Sequence, residues 1–340
     1  MPEIDPRHPA GVAEALRGWA ADRYGGAVAV VGAPVAIGAG FDSYIHLVHL
    51  AGEELPPEWR LPVVVRLLPA ADRVAQSHAE ADVQGWCAAR GYAAPVVHAV
   101  LAPDELFGLP AQVMERAPGV TVLDALKRRP WRVGALLGQL VDLQLRLHAM
   151  DATGWPGPTD PLELVERRLD LARRAASDGG PAALTSALDR VRPLVPVAVA
   201  GNRVVCHGDF HPLNVMVDGG AASVIDWTDA GLAPREADVA RTLLLFRVAS
   251  IAAERRVERR ALEAIGPAMA RRYDRAYQRT APLDPARMRA WEAIQALQGW
   301  AQVVTLRGGG FDGESSSDAA RVPAWVADFL QARVESVLAG

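Results

Sequence analysis

The sequence is short of cysteine, with two in 340 residues: Cys87 and Cys206, each in an apolar stretch. That count excludes a disulfide-stapled scaffold and fits a reducing compartment, so a cytoplasmic location is expected. No apolar run reaches the roughly 18 residues a spanning helix needs, so no membrane partner is expected. The opening Met1-Pro2-Glu3-Ile4-Asp5 is acidic and has no apolar signal core. A formal net charge of −4 gives no general attraction to nucleic acid. Neither a P-loop nor a complete Gly-x-Gly-x-x-Gly is present, and no segment repeats. What remains is a half-hydrophobic chain, long enough to bury a large core and to split into two lobes.

The densest chemistry lies in His207-Gly208-Asp209-Phe210-His211-Pro212-Leu213-Asn214 and, further on, Ile225-Asp226-Trp227. Val204-Val205-Cys206 is short, apolar and β-branched, so it predicts a buried strand leading into a loop punctuated by Gly208 and Pro212. Val215-Met216-Val217 predicts a second strand, Asp218-Gly219-Gly220 a turn, and Ser223-Val224-Ile225 a third strand that delivers Asp226. Such a hairpin brings Asn214 and Asp226 together as oxygen ligands suited to magnesium. An Asp, an Asn five residues later and a second Asp also match the spacing of the protein-kinase catalytic loop and metal site. Taken singly, each residue has a plainer use: Asp209 in a turn, Asn214 on its own backbone, Asp226 at the start of a loop. His207 and His211 are spaced like a helical zinc pair, but Gly208 and Pro212 oppose a helix there.

These segments, His207 to Asn214 and Ile225 to Ala230, resemble the catalytic region of the aminoglycoside phosphotransferase family, small-molecule kinases of which many confer antibiotic resistance. The resemblance continues through Pro234-Arg235-Glu236-Ala237-Asp238-Val239-Ala240. It implies an α+β, bilobal protein-kinase-like fold with a small β-rich N-lobe and a larger, mainly helical C-lobe. It further implies that Asp209 is the catalytic base, that Asn214 and Asp226 hold Mg2+, and that Asp238 braces the C-terminal lobe. The corresponding division is an N-lobe at 1–114, a hinge at 115–119 and a C-lobe at 120–340 that carries the catalytic loop at 204–230.

Within that frame the N-terminal third reads as a nucleotide-binding lobe. An amphipathic helix is expected from about Pro9 to Tyr24, with Val12, Leu16 and Trp19 on one side. Gly38-Ala39-Gly40-Phe41-Asp42-Ser43 lies between two strand-like runs, and Gly38, Gly40 and Ser43 are candidates to approach phosphates through backbone amides. Val63-Val64-Val65-Arg66 matches the kinase strand whose Lys holds the α and β phosphates. Arg66 keeps the charge in a flatter, longer group, so how fully it replaces Lys stays open. Glu80, in a helix expected over Val74 to Arg90, is the candidate partner for Arg66, or else one charge on a solvated face. Ala111 to Met114 predicts a strand that Glu115-Arg116-Ala117-Pro118-Gly119 breaks. In kinase-like folds the adenine ring bonds there, which makes Met114, Glu115 and Ala117 candidate nucleotide contacts.

Thr121 is placed to cap a helix with Asp124 three residues on, and a long amphipathic helix is expected over Trp131 to Met150. Residues 161–194 and 239–300 read as helical walls for an acceptor. Gly308 to Asp318 reads as a polar loop, and Val322 to Leu338 as a last helix. From Ile251 to Trp300 ten Arg outweigh six acids, 10 − 6 = +4. That balance favours a neutral or weakly charged hydroxylated acceptor, such as a macrolide-like compound or a metabolite, over a polycation. Trp291, Trp300, Tyr273 and Tyr277 are available either to stack on such a molecule or to pack.

The reading reached is an ATP-dependent transfer of a phosphoryl group to a small-molecule hydroxyl, with GTP left open as donor and oligomeric state undetermined. Three alternatives stand beside it. One is a nucleotide-binding pseudokinase, suggested by Arg66 and the reduced glycine loop. Another is a kinase of an endogenous metabolite. The third is a metal-dependent hydrolase using His207, Asp209, His211 and Asp226.

Overall fold

Alternating and continuous apolar patterns separate the chain into two kinds of structure. A computed structural model describes residues 5–40, 43–249, 256–307 and 324–339. The expected 308–319 loop and residues Phe41 and Asp42 lie outside them. The described chain divides into two compact units: residues 1–120 with 155–157 and 216–228, and residues 121–154 with 158–215 and 229–340.

The first unit opens with helix α1 (Pro9–Tyr24), whose Val12, Ala13, Leu16 and Ala20 are buried. Strands β1 (Ala29–Val30), β2 (Val35–Gly40), β3 (Ser43–Val48) and β4 (Leu50–Ala51) follow. Next come β5 (Val63–Leu67), helix α2 (Val74–Ala89), β6 (Val97–Leu101) and β7 (Ala111–Glu115). Five of the strands form one antiparallel sheet in the order β2-β3-β5-β7-β6. Val63, Val65 and Leu67 of β5 are fully buried, each worth roughly 1.5–3 kcal/mol of burial. Their neighbours Val64 and Arg66 point to the other face, which is how a strand in the middle of a sheet comes to present a guanidinium. Gln84 and Gln112, both buried, donate to Pro95 O and Ser77 O at 2.8 Å and fasten α2 to the sheet. Trp59 is stacked on Trp19 at 5.6 Å and closes the α1 side.

Strand β8 (Val120–Thr121) precedes α3 (Val122–Arg128), which is capped as its sequence suggests: Thr121 Oγ1 accepts from Asp124 N–H at 3.0 Å. The second unit goes on through α4 (Val133–His148), α5 (Pro161–Ser177), α6 (Ala182–Val191), α7 (Val195–Val199) and β9 (Val204–Cys206). The hairpin that follows in the chain, β10 (Val215–Asp218) and β11 (Ala221–Val224), belongs almost wholly to the first unit. The second unit then resumes with β12 (Gly231–Ala233), α8 (Arg235–Val248), α9 (Arg256–Gln278), α10 (Pro285–Arg307) and α11 (Ala324–Ala339). Helix α10 runs through the core, its Ala290, Ala293, Ala296 and Ala301 letting neighbouring helices approach, and Trp291 donates to Ala198 O at 2.8 Å. Trp291, Trp300, Tyr273 and Tyr277 are all buried, so these rings pack rather than wait for a ligand. Both cysteines are buried thiols; burial pushes Cys87 up to about 12 and Cys206 well above its ordinary value.

Candidate active site

The loop after β9 is shaped by one glycine and one buried acid. Gly208 has φ +81°, and a Cβ there would lie 2.2 Å from the Asp229 carbonyl oxygen. An L side chain fits neither the turn nor the space. Asp238, in the first turn of α8 and fully buried, accepts from Gly208 N–H through Oδ1 at 2.7 Å. Its Oδ2 accepts from His207 N–H at 3.3 Å, and from Gln144 Nε2 and His148 Nε2 at 3.1 Å each. Burial works against the charge on Asp238, but the hydrogen bond and field of His148, with His207 and Gly208 behind them, keep its carboxyl below the usual carboxylate range. His148, Cys206 and Asp238 put possible ligand atoms within 4.8 Å of one another. Each is already engaged: His148 also meets the Tyr277 hydroxyl at 2.6 Å, and the Cys206 thiol lies 3.6 Å from Ala233 O.

Two of the sequence-predicted site residues meet on this loop. Asp209 Oδ1 accepts from Arg241 Nε at 2.9 Å, and Oδ2 lies 3.2 Å from both His211 Nε2 and Asn214 Nδ2. The Asn214 amide nitrogen also donates to the Asp209 carbonyl at 3.0 Å. Both hydrogen bonds of the Asn214 side chain therefore use its nitrogen. Burial opposes ionisation of Asp209, but Arg241 first and His211 second outweigh it and hold the carboxyl well below the ordinary range. His207 is buried, and its Nδ1 accepts from Asp209 N–H at 3.3 Å.

The other predicted residues belong to the first unit. Arg66 is paired with Glu80 through Nη1 and Oε1, and its Nε donates to Ser43 Oγ at 3.2 Å. Its Nη2 reaches Thr228 Oγ1 at 3.4 Å and Asp226 Oδ1 at 3.5 Å. Burial pushes the Glu80 carboxyl up, and the Arg66 guanidinium works against that. Asp226 has φ +66°, the one non-glycine in the left-handed region among the described residues. Thr228 donates to its Oδ1 at 2.9 Å, and its side chain is 43% exposed.

Gly38 and Gly40 lie within β2, which runs on to pair Gly40 with Ser43. Ala39 also pairs with Tyr44, and the register shifts between Ala36 and Ala39, so Gly38 sits at an irregularity of the strand. Met114 is buried in β7 and its sulfur is 3.8 Å from Gln84 Nε2. Glu115 closes that strand and is exposed. Ala117 is half-buried, and no hydrogen bond to its backbone is formed among the described residues. Gly119 has φ +88°, and a Cβ there would lie 2.0 Å from the Val217 carbonyl oxygen, so the chain passes this point only as glycine.

Three partners escape a reading of the sequence. Arg241 and Thr242 sit in an ordinary Arg-Thr-Leu-Leu-Leu helical run, and Thr228 in a loop. The available signal is position: Arg241 follows Asp238 by three residues, which puts both on one helix face.

The phosphotransferase enzyme family model matches residues 36–291, and the chain belongs to that family. It is a small-molecule O-phosphotransferase with a kinase-like α+β fold. A thermostable mutant of aminoglycoside phosphotransferase APH(4)-Ia in its apo form is 18% identical, with a TM-score of 0.63 over 95% of this chain and 98% of that one. A mutant of the same enzyme in ternary complex with AMP-PNP and hygromycin B is 17% identical, with a TM-score of 0.64 over 96% of this chain and 98% of that one. The GDP complex of an aminoglycoside 2'-phosphotransferase-IIIa mutant is 13% identical, with a TM-score of 0.62 over 97% of this chain and 98% of that one. No match is found among curated proteins. At these identities the likeness to solved structures establishes the fold.

Proposed function

We propose that the chain transfers the γ-phosphoryl group of ATP to a hydroxyl of a small molecule, with GTP as a second donor to test. The observation that carries this reading is the loop 207–214, where a buried acid pins the backbone so that Asp209 and Asn214 share a hydrogen bond. Asp209 takes the proton of the acceptor hydroxyl. The acceptor oxygen bonds to Pγ, the bond from Pγ to the bridging oxygen breaks, and the nucleoside diphosphate leaves with that electron pair. Held by Arg241 and Asn214, the carboxylate also aims that hydroxyl. Arg66, steadied by Glu80 and Ser43, binds the donor's phosphates, and the hinge backbone around Met114, Glu115 and Ala117 takes its base. Asn214 and Asp226 offer an amide oxygen and a carboxylate, a hard donor set that fits Mg2+. That ion, when bound, neutralises charge on the transferring phosphates.

For the acceptor we favour a neutral or weakly charged hydroxylated compound, macrolide-like or a metabolite, because the segment 251–300 carries a net +4 (ten Arg less six acids). An aminoglycoside remains the rival, since the APH(4)-Ia complex holds hygromycin B. A resistance role and a cytoplasmic location follow from this reading if the acceptor is an antibiotic. A panel of macrolides, aminoglycosides and cellular alcohols, each incubated with MgATP, tests it. Acceptor-dependent ADP formation that disappears in D209N supports the reading. MgATP binding without transfer to any acceptor in wild type would instead favour a pseudokinase.

A further inference from the structure

We propose that Arg241 is a positioning residue for this reaction, fixing the Asp209 carboxylate so that one chosen oxygen meets the acceptor. The inference rests on the reading of Asp209 as the proton acceptor. Arg241 Nε donates to Asp209 Oδ1 at 2.9 Å, and its guanidinium is largely buried. Oδ1 is thereby committed. Oδ2 has two longer contacts, to His211 Nε2 and Asn214 Nδ2 at 3.2 Å each, and is the oxygen assigned to the acceptor's proton.

One turn of α8 supplies the registry. Asp238 bonds the backbone of His207 and Gly208, Arg241 bonds the side chain of Asp209, and Thr242 Oγ1 donates to Phe210 O at 2.8 Å. Four successive loop residues are thus read off by three residues of a single helix. The backbone bonds of Asp238 and Thr242 fix where Asp209 starts, but they leave its side chain free to turn, and an Asp χ2 has a broad, shallow preference. Arg241 supplies the missing constraint. Its planar fork is already organised, so holding the carboxylate costs less side-chain entropy than a Lys would. Among the described residues Asp209 is the only carboxylate that Arg241 bonds.

Water serves as a probe acceptor. Its oxygen bonds to Pγ, its proton passes to Asp209 Oδ2, the bond from Pγ to the bridging oxygen breaks, and ADP keeps the electron pair. Phosphate release from MgATP is measured for wild type, D209N, R241A, R241K and D209N/R241A, with MgAMP-PNP binding followed by thermal shift. R241A is expected to lower kcat by about 100-fold, the scale of a misplacement near 1 Å. The KM for ATP and the AMP-PNP shift stay at wild-type values. R241K recovers part of the rate, and R241A adds no loss on the D209N background, because Arg241 acts only through that carboxylate. Crystal structures of wild type and R241A give a second reading, with the Asp209 carboxylate turned or in several rotamers in the variant. Wild-type kcat in R241A, an additive loss in the double variant, or an unmoved Asp209 carboxylate overturns the proposal. Wild-type kcat in D209N contradicts the assignment of the base itself, a separate outcome.

Discussion

Asp209 carries the proposed chemistry, and its surroundings say how a change there is felt. Asp209→Asn keeps the shape and the Asn214 contact but cannot accept the proton, so turnover should fall by roughly 10²–10⁴-fold. Thermal shift with MgAMP-PNP should still match wild type; a lost shift would mean the residue serves binding instead. Arg66→Ala has a different signature. It leaves the Glu80 carboxylate, 1% exposed, without its cation, which costs on the order of 3 kcal/mol. Urea unfolding should show that loss, and Arg66→Lys should recover much of it. That Asp209 and Asn214 share one loop is legible in the sequence because both lie in one short stretch punctuated by Gly208 and Pro212. The groups that hold them are not: Arg241 is 32 residues from Asp209 in the chain, and only the packing of α8 against the loop brings it there.

At the scale of elements, α8 and the loop 207–214 act as one piece, and Asp238 is the rivet. Asp238→Ala strands donors from His207, Gly208, Gln144 and His148 in a dry site, which costs on the order of 3–5 kcal/mol. Because its carboxyl is depressed in the folded protein, the stability it contributes is present above the ordinary Asp value near 4 and disappears as pH falls through the lower, folded value. Acid unfolding of wild type should therefore show a drop in stability below about pH 4 that Asp238→Asn lacks; equal pH profiles would refute the linkage. Gly208→Ala should prevent this piece from forming, given the 2.2 Å approach to Asp229, and soluble yield or near-UV circular dichroism reads that directly. Helices such as α1 and α2 are visible in the sequence because their apolar residues recur at helical spacing. Strand β12, Gly231-Leu232-Ala233, is not, since it lacks β-branched residues and exists by pairing with β9. Glycines at 38 and 40 suggest a loop where β2 instead runs on to Gly40, with a register shift between Ala36 and Ala39.

For the molecule as a whole, family membership gives the class of reaction, the charge balance of 251–300 bears on the acceptor, and the buried aromatics do not. The class of reaction is legible in the sequence, because two acids and an amide at fixed offsets are a local pattern. The use of the aromatics is obscure there, because rings spaced along helices look alike whether they face a ligand or, as here, the core. A chain that binds MgATP only when folded should gain about 2.7 kcal/mol of stability at a hundred times Kd, seen as a rise in Tm that EDTA reverses if the ion is part of the site. The most direct test follows the label itself. With γ-labelled ATP, magnesium and a panel of hydroxylated acceptors, wild-type protein should move label onto an acceptor hydroxyl, and D209N should leave it on ATP. Label transfer by D209N at the wild-type rate would contradict the role given to Asp209.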